Sequence, residues 1–225
     1  MTEPISLRPS ISQHPSTKAV HQYLRGIYAI TPNWPAHERV YKAALAALAG
    51  GIKLLQLRYK GDANQRHTLA THLLAACHQH QACLIINDDL ELAIDINAHG
   101  VHLGQQDASL AQARARLRPH QILGASCYNR LDLAQAAVTA GADYVAFGSV
   151  FASPTKPQAV HAPLDLFTQA QQLNVPCVAI GGITLQNAAT VFQAGAHAVA
   201  VISDLFEHEN IQARAEMLCV LPPKR

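Results

Sequence analysis

The chain of 225 residues carries 17 Lys and Arg against 15 Asp and Glu, a net charge of +2 with its 13 histidines taken as neutral. That balance gives no bulk electrostatic case for a nucleic-acid or membrane partner. Hydrophobic residues make up 49% and charged residues 14%, so the chain can build a large core and global disorder is excluded.

Residues 1–20 are polar and rich in Ser and Pro, without the apolar core of a secretion signal. They read as a poorly ordered tail before a single domain over 21–225. From Gly26 onward, short apolar runs alternate with longer amphipathic stretches. GIYAIT (26–31) is followed by a helix-like segment, 36–49, that stops at Gly50-Gly51. IKLLQLR (52–58) precedes segment 62–81, for which Asp62 is the N-cap. ACLIIN (82–87), GVHLG (100–104), QILGAS (121–126), DYVAFGS (143–149), VPCVAIGG (175–182) and AVAVIS (198–203) bring the strand-like runs to eight. Each is short and apolar at consecutive positions, as in strands buried on both faces. A helix over 184–194 is expected to open at Thr184 and stop at Gly195. The segments GGIK, AGADY and AGAHA repeat one helix-glycine-strand turn. Eight strand-helix units are the arithmetic of an α/β fold of the (β/α)8 TIM barrel type; a doubly wound open sheet is the other fold this rhythm permits. No apolar run approaches the roughly 18 residues needed to span a bilayer. The five cysteines are odd in number and form no CxxC pair, so reduced thiols in the cytoplasm are expected rather than a disulfide framework or a Cys-only zinc site.

In a parallel barrel the active site lies at the C-terminal ends of the strands, and here those ends are polar. Strand two runs into Gln56, Arg58 and Lys60, spaced by two and therefore on one side. Two cations there suit an anionic substrate; a solvated strand end is the plainer reading. Strand three ends in Asn87, Asp88 and Asp89, and strand four is followed by Asp107. Neighbouring strands lie about 4.8 Å apart, so carboxylates at both ends can share one cation. An oxygen-only site of this kind suits Mg²⁺ completed by substrate phosphate. One of Asp88 and Asp89 is expected to cap the helix LELAID, a role assigned to Asp89. His102, alternating with Val101 and Leu103, reads as a hydrogen-bonded core residue more than a ligand. Ser126 ends strand five at the barrel mouth, and its neighbour Cys127 reads as a small buried thiol. After strand six, Ser153, Thr155 and Lys156 share a loop with Pro154 and Pro157, as in a stiffened phosphate loop or a structural Pro turn. Gly181-Gly182 ends strand seven and Ile202-Ser203 ends strand eight, where barrels of this kind hold phosphate on backbone N–H groups.

LQLRYK (55–60), INDD (86–89), GVHLGQQD (100–107), GAS (124–126), FGSVFASPTKP (147–157), AIGGI (179–183) and AVIS (200–203) together resemble the thiamine-phosphate synthase, or thiamine-phosphate pyrophosphorylase, family over about residues 25–205. The resemblance implies a transferase that joins hydroxymethylpyrimidine diphosphate to hydroxyethylthiazole phosphate, giving thiamine phosphate and pyrophosphate. It implies that Gln56, Arg58, Lys60, Asn87 and Ser126 contact the pyrimidine diphosphate and that Asp88 and Asp107 hold Mg²⁺. Ser153, Thr155 and Lys156 would bridge the substrates, with Lys156 on the diphosphate. Gly182, Ile202 and Ser203 would hold the thiazole phosphate. Lys156, Arg58 and Ser126 are the catalytic candidates. Where Ser153 stands the family often has Thr; the hydroxyl is kept. The implied partners are these small molecules, with no nucleic acid or membrane, and a homo-oligomer is compatible with the sequence.

Three other readings share the barrel. A thiazole tautomerase would need a proton-transfer residue, for which His102 is the candidate, but no diphosphate clamp. A sugar-phosphate isomerase or aldolase would use Lys156 as a Schiff base. A non-catalytic binding protein would be signalled by loss of the metal carboxylates, and both are present.

Overall fold

The computed structural model describes residues 23–105, 107–152 and 160–221. The tail expected over 1–20 and the loop residues Ser153, Thr155 and Lys156 lie outside the described residues. Eight parallel strands close into a barrel in sequence order. They are β1 (Gly26–Ile30), β2 (Leu54–Leu57), β3 (Cys83–Asn87), β4 (Gly100–Leu103), β5 (Ile122–Tyr128), β6 (Tyr144–Gly148), β7 (Cys177–Ile180) and β8 (Ala198–Val201). The helices are α1 (His37–Ala49), α2 (Ala63–Gln79), α3 (Leu90–Asp95), α4 (Leu110–Arg116), α5 (Leu131–Thr139), α6 (Asp165–Gln169, continued by a 3-10 turn Ala170–Leu173), α7 (Ala188–Gln193), α8 (Ser203–Phe206) and α9 (Ile211–Cys219). Closure excludes the doubly wound sheet, because β1 pairs with β8 as well as with β2.

Alternation along the strands builds two cores. Tyr28, Leu54, Ile85, Ile122, Tyr144 and Val178 point inward and fill the barrel. The residues between them, such as Ala29, Leu55, Leu84, Val145 and Val199, point outward against the helices. Each strand thus reads as continuously apolar while serving two different packing layers.

The helix ends follow local chemistry. Asp62 caps α2 through a 3.0 Å bond from the Gln65 N–H. The three repeated helix-to-strand turns place Gly51, Gly141 and Gly195 at φ +97°, +96° and +106°, where a side chain would be strained. Two expectations need correction. The helix after β7 begins at Ala188, not Thr184. Residues 184–187 form a turn in which Thr184 O accepts from both Asn187 N and Ala188 N, while Asn187 Oδ1 accepts from Thr184 N at 2.8 Å. The Asn187 side chain therefore satisfies the donor that a helical turn would have left open. Strand five also runs past Ser126 to Tyr128, because a register shift against β6 between those residues lets the pairing resume.

Candidate active site

Strand register decides which side chains meet at the barrel mouth. Ile30 pairs with Gln56, Gln56 with Ile85, Asn87 with His102, His102 with Gly124, Gly124 with Tyr144, and Ser126 with Ala146. The polar residues of β2 to β5 therefore face inward at adjoining positions. They open on a cavity of about 720 Å³ whose polar side carries Gln56, Arg58, Asn87, His102 and Ser126. Ile30, Ala146, Val178, Ile180 and Ala200 form its apolar wall.

A second cavity, of about 490 Å³, adjoins the first, and Arg58 and Asn87 line both. Lys60, Arg66 and Arg116 add three further cations to its wall, facing Asp88, Asp89 and Glu91. The strand-two tip is stapled in place by β1: the Arg58 N–H donates to Thr31 Oγ1 and the Lys60 N–H to Asn33 Oδ1, both at 2.9 Å. The Gln56–Arg58–Lys60 alternation thus persists beyond the strand itself.

Of the two aspartates after β3, Asp89 takes the capping role expected of it. Asp89 caps α3 by accepting from the Leu92 N–H at 3.0 Å, and its other oxygen lies 3.1 Å from Arg66 Nε. Asp88 takes φ +63°, a left-handed conformation that Asp tolerates better than most residues. Its carboxyl meets that of Asp107. Burial, the hydrogen bond with Asp107 and the Asp107 charge raise its pKa; a 2.5 Å bond from Asn87 Nδ2 and the Lys60 charge oppose the rise. Asp107 is itself held by the Gly104 N–H at 2.6 Å. Two carboxylates pressed together, one resisting ionisation, are a donor set that a divalent cation relieves. Among the described residues no group of three or more acidic, His or Cys side chains could hold a metal, so such a cation needs ligand oxygens to complete its shell.

On the opposite side, Gly182 sits at φ +61°, and a Cβ there would lie 2.4 Å from Ala152 O. Only glycine fits this turn. Gly182, Ile202 and Ser203 line the large cavity, where β7 and β8 end.

A match to the family model described as thiamine monophosphate synthase covers residues 27–205. Thiamine-phosphate synthase of Thioalkalivibrio sulfidiphilus is 52% identical over 201 residues, covering 88% of this chain and 95% of that protein. The enzyme of the same name from Chromobacterium violaceum is 50% identical over 196 residues, covering 87% and 95%. Among solved structures, thiamine phosphate pyrophosphorylase from Pyrococcus furiosus superposes with a TM-score of 0.79 at 30% identity, over 90% of this chain and 96% of that one.

The chain belongs to the thiamine monophosphate synthase family. A 3-hexulose-6-phosphate synthase at 15% identity and a TM-score of 0.68 shares only the barrel.

The sequence reading of this family member missed several lining residues. Arg66 and Arg116 lie on helices, away from the strand-end motifs; Arg116 pairs with Glu91 beside the second cavity. Tyr28, which lines the large cavity, and Tyr144 are buried at 1% and 0% exposure, and their hydroxyls form a polar line beneath it. Asp204, in the first turn of α8, lines the cavity and is locked by Arg214 of α9, with Nη2 to Oδ1 at 2.5 Å. Only spatial proximity identifies these residues; no local motif carries them. His102 is the hydrogen-bonded core residue expected, and Cys127 is the buried thiol expected, its pKa pushed up to about 12 by burial first.

Proposed function

We propose that this chain acts as a thiamine-phosphate synthase, joining hydroxymethylpyrimidine diphosphate to hydroxyethylthiazole phosphate with release of pyrophosphate. The observation that carries this reading is the pair of adjoining cavities, one with an apolar wall and a polar side, the other rimmed by cations, with Arg58 and Asn87 common to both. A substrate with a heterocycle joined to a diphosphate fits that division. The large cavity lies within the usual size range for small-molecule sites, roughly 300–1,000 Å³. In this reading Gln56, Asn87 and Ser126 hold the pyrimidine, while Arg58 and Lys60 hold its diphosphate. Gly182, Ile202 and Ser203 hold the thiazole phosphate at the far side.

The bond between the pyrimidine methylene carbon and the diphosphate oxygen breaks, its electrons leaving on pyrophosphate, and the thiazole nitrogen lone pair forms the new carbon–nitrogen bond. No protein nucleophile is needed for this step, and the buried thiols of Cys83 and Cys127, raised to about 12 by burial, line neither cavity. Arg58 and Lys60 stabilise the charge that grows on the departing oxygen, and Lys156, with Ser153 and Thr155, is assigned to the same diphosphate by resemblance. Asp88 and Asp107 would hold Mg²⁺, which when bound supplies further positive charge to the diphosphate oxygens. Four of the five cysteines are buried and all are free, as a reducing cytoplasmic compartment permits. Among the described residues no helix is long and apolar enough to cross a membrane.

A thiazole tautomerase would leave the cation-lined cavity without purpose. The test is to mix both substrates with Mg²⁺ and measure pyrophosphate and thiamine phosphate together. Equal release of the two supports the synthase; isomerisation of a thiazole carboxylate phosphate without pyrophosphate release would replace it with the tautomerase.

A further inference from the structure

Beneath the large cavity runs an unbroken line of hydrogen bonds that the reaction scheme leaves unused. Gln56 Nε2 donates to Tyr28 OH at 2.7 Å, the Tyr28 and Tyr144 hydroxyls are 2.9 Å apart, Tyr144 OH is 2.8 Å from His102 Nδ1, and His102 Nε2 is 2.9 Å from Ser126 Oγ. Four of the five groups are buried; only Ser126, at the end, is partly open to the cavity. The line joins residues up to 116 positions apart in sequence and crosses the barrel from β2 to β5.

Its direction follows from counting hydrogens. A neutral imidazole has one N–H and one lone pair. Burial keeps His102 neutral, with its pKa drawn down to about 4. If Nδ1 carried the hydrogen, Tyr144 would accept it and donate to Tyr28. With the Gln56 amide presenting Nε2 to it, Tyr28 would then accept twice, and its own buried hydrogen would find no acceptor in the line. That arrangement carries the full penalty of an unpaired buried donor. If Nε2 carries the hydrogen, each hydroxyl accepts once and donates once. Gln56 gives to Tyr28, Tyr28 to Tyr144, Tyr144 to Nδ1, and Nε2 to Ser126 Oγ. The one hydrogen left over belongs to Ser126, the most open member of the line toward the cavity.

We propose that His102 is a positioning residue that, held as the Nε2–H tautomer by the Gln56–Tyr28–Tyr144 chain, fixes Ser126 as a hydrogen-bond donor toward the bound substrate. The inference rests on the synthase reading for the identity of that substrate. It deepens that reading by giving Ser126 a free hydrogen to donate, so that its hydroxyl serves a lone pair on the substrate, on a ring nitrogen or an ester oxygen. The neutral chain carries its polarity from bond to bond. Removing the Tyr144 hydroxyl frees His102 to turn either nitrogen to Ser126, while the ring still fills its place in the barrel.

Two measurements decide it. Nitrogen NMR of isotope-labelled histidine in the ligand-free protein reads the tautomer directly. His102 is expected as Nε2–H in the unaltered protein, and in Tyr144→Phe as a mixture. The second is a double-mutant cycle in kcat. Ser126→Ala is expected to lower kcat roughly 100-fold, as loss of a placed donor does, and Tyr144→Phe roughly tenfold, as loss of one hydrogen bond does. If His102 acts through Ser126, adding Tyr144→Phe to Ser126→Ala costs little more. His102→Gln, which can still present an N–H to Ser126, is expected to keep more activity than His102→Leu. An Nδ1–H tautomer in the unaltered protein, or losses that simply multiply, would overturn the proposal. The tautomer is read without substrate, so failure of the synthase assay and failure of the chain are separate results.

Discussion

At the scale of single residues, His102 shows how one buried imidazole links the site to stability. It is 8% exposed, stacks on Tyr144 with ring centroids 5.5 Å apart, and has both nitrogens engaged. Gly124 makes room for this pair, since a Cβ there would lie 2.1 Å from Tyr144 Cζ. Burial lowers the His102 pKa from 6.5 to about 4, against a smaller opposing pull from the Asp107 charge. The folded state therefore binds the proton less readily than the unfolded chain. Above pH 6.5 neither state is protonated and His102 adds no pH dependence. As pH falls from 6.5 to about 4 the unfolded chain takes up the proton first, and stability is lost across that window. A shift of this size corresponds to about 3 kcal/mol. Asp88, with its pKa raised, works in the opposite sense, so the useful quantity is a difference between proteins. Urea unfolding of wild type and His102→Gln should show the wild type losing about 3 kcal/mol more between pH 7 and pH 4. Parallel stability curves for the two proteins would mean that His102 takes up its proton equally readily in the folded and unfolded chain, as it would if its site admitted water.

At the scale of elements, the loops after β7 and β8 are held by one ion pair. Arg214 of α9 is 9% exposed in its side chain and Asp204 of α8 is 15% exposed. Arg214 Nε reaches the Asp204 backbone oxygen at 3.2 Å as well as the carboxylate, and Asp204 Oδ2 also accepts from the Leu185 N–H at 3.0 Å. One carboxylate thus ties α9, α8 and the turn after Gly182 together. This explains how a four-residue helix such as α8 holds Ser203 at the cavity. Removing Arg214 leaves the Asp204 carboxylate, still bonded by the Leu185 N–H, without its cation, a loss of about 1–3 kcal/mol. Arg214→Ala should therefore lower the urea midpoint and, in the protein that remains folded, raise KM for the thiazole phosphate more than for the pyrimidine diphosphate. An equal rise in both values would show that the pair does not act through this loop. The same region shows why the helix start was misread. Thr184 is a good cap by type, but capping depends on which side chain reaches the free N–H groups, and here Asn187 reaches back. A propensity read along the chain cannot see that competition.

At the scale of the whole molecule, the barrel was legible because its signal is repetitive: eight apolar runs, recurring glycine turns and polar strand ends all point one way. The site was legible where it is local to a strand end, as at Gln56, Arg58, Asn87, Asp88 and Ser126. It was not legible where distant elements meet. Tyr28 and Tyr144 became a polar line only when β1 and β6 faced each other across the closed barrel, and Arg66 and Arg116 became cavity walls only through helix placement. In the proposed synthase, cation and diphosphate would bind across separate strand-helix units. Asp88 and Asp107 offer a cation only two carboxylates, and Arg58 and Lys60 offer a diphosphate only part of its neutralisation. In the proposed synthase, neither ligand alone would satisfy the second cavity, whereas together each would complete the other's shell. A ligand set that binds only the folded barrel stabilises it by about 2.7 kcal/mol at 100 times its dissociation constant. Thermal unfolding of the unaltered protein should therefore shift little with Mg²⁺ alone or pyrophosphate alone, and by several degrees with both. With Asp88→Asn the joint shift should collapse. With Asp89→Asn it should largely survive, since Asn keeps the α3 cap. Mg²⁺ alone producing the full shift would place its ligands elsewhere, and a joint shift unchanged in Asp88→Asn would remove these carboxylates from metal binding.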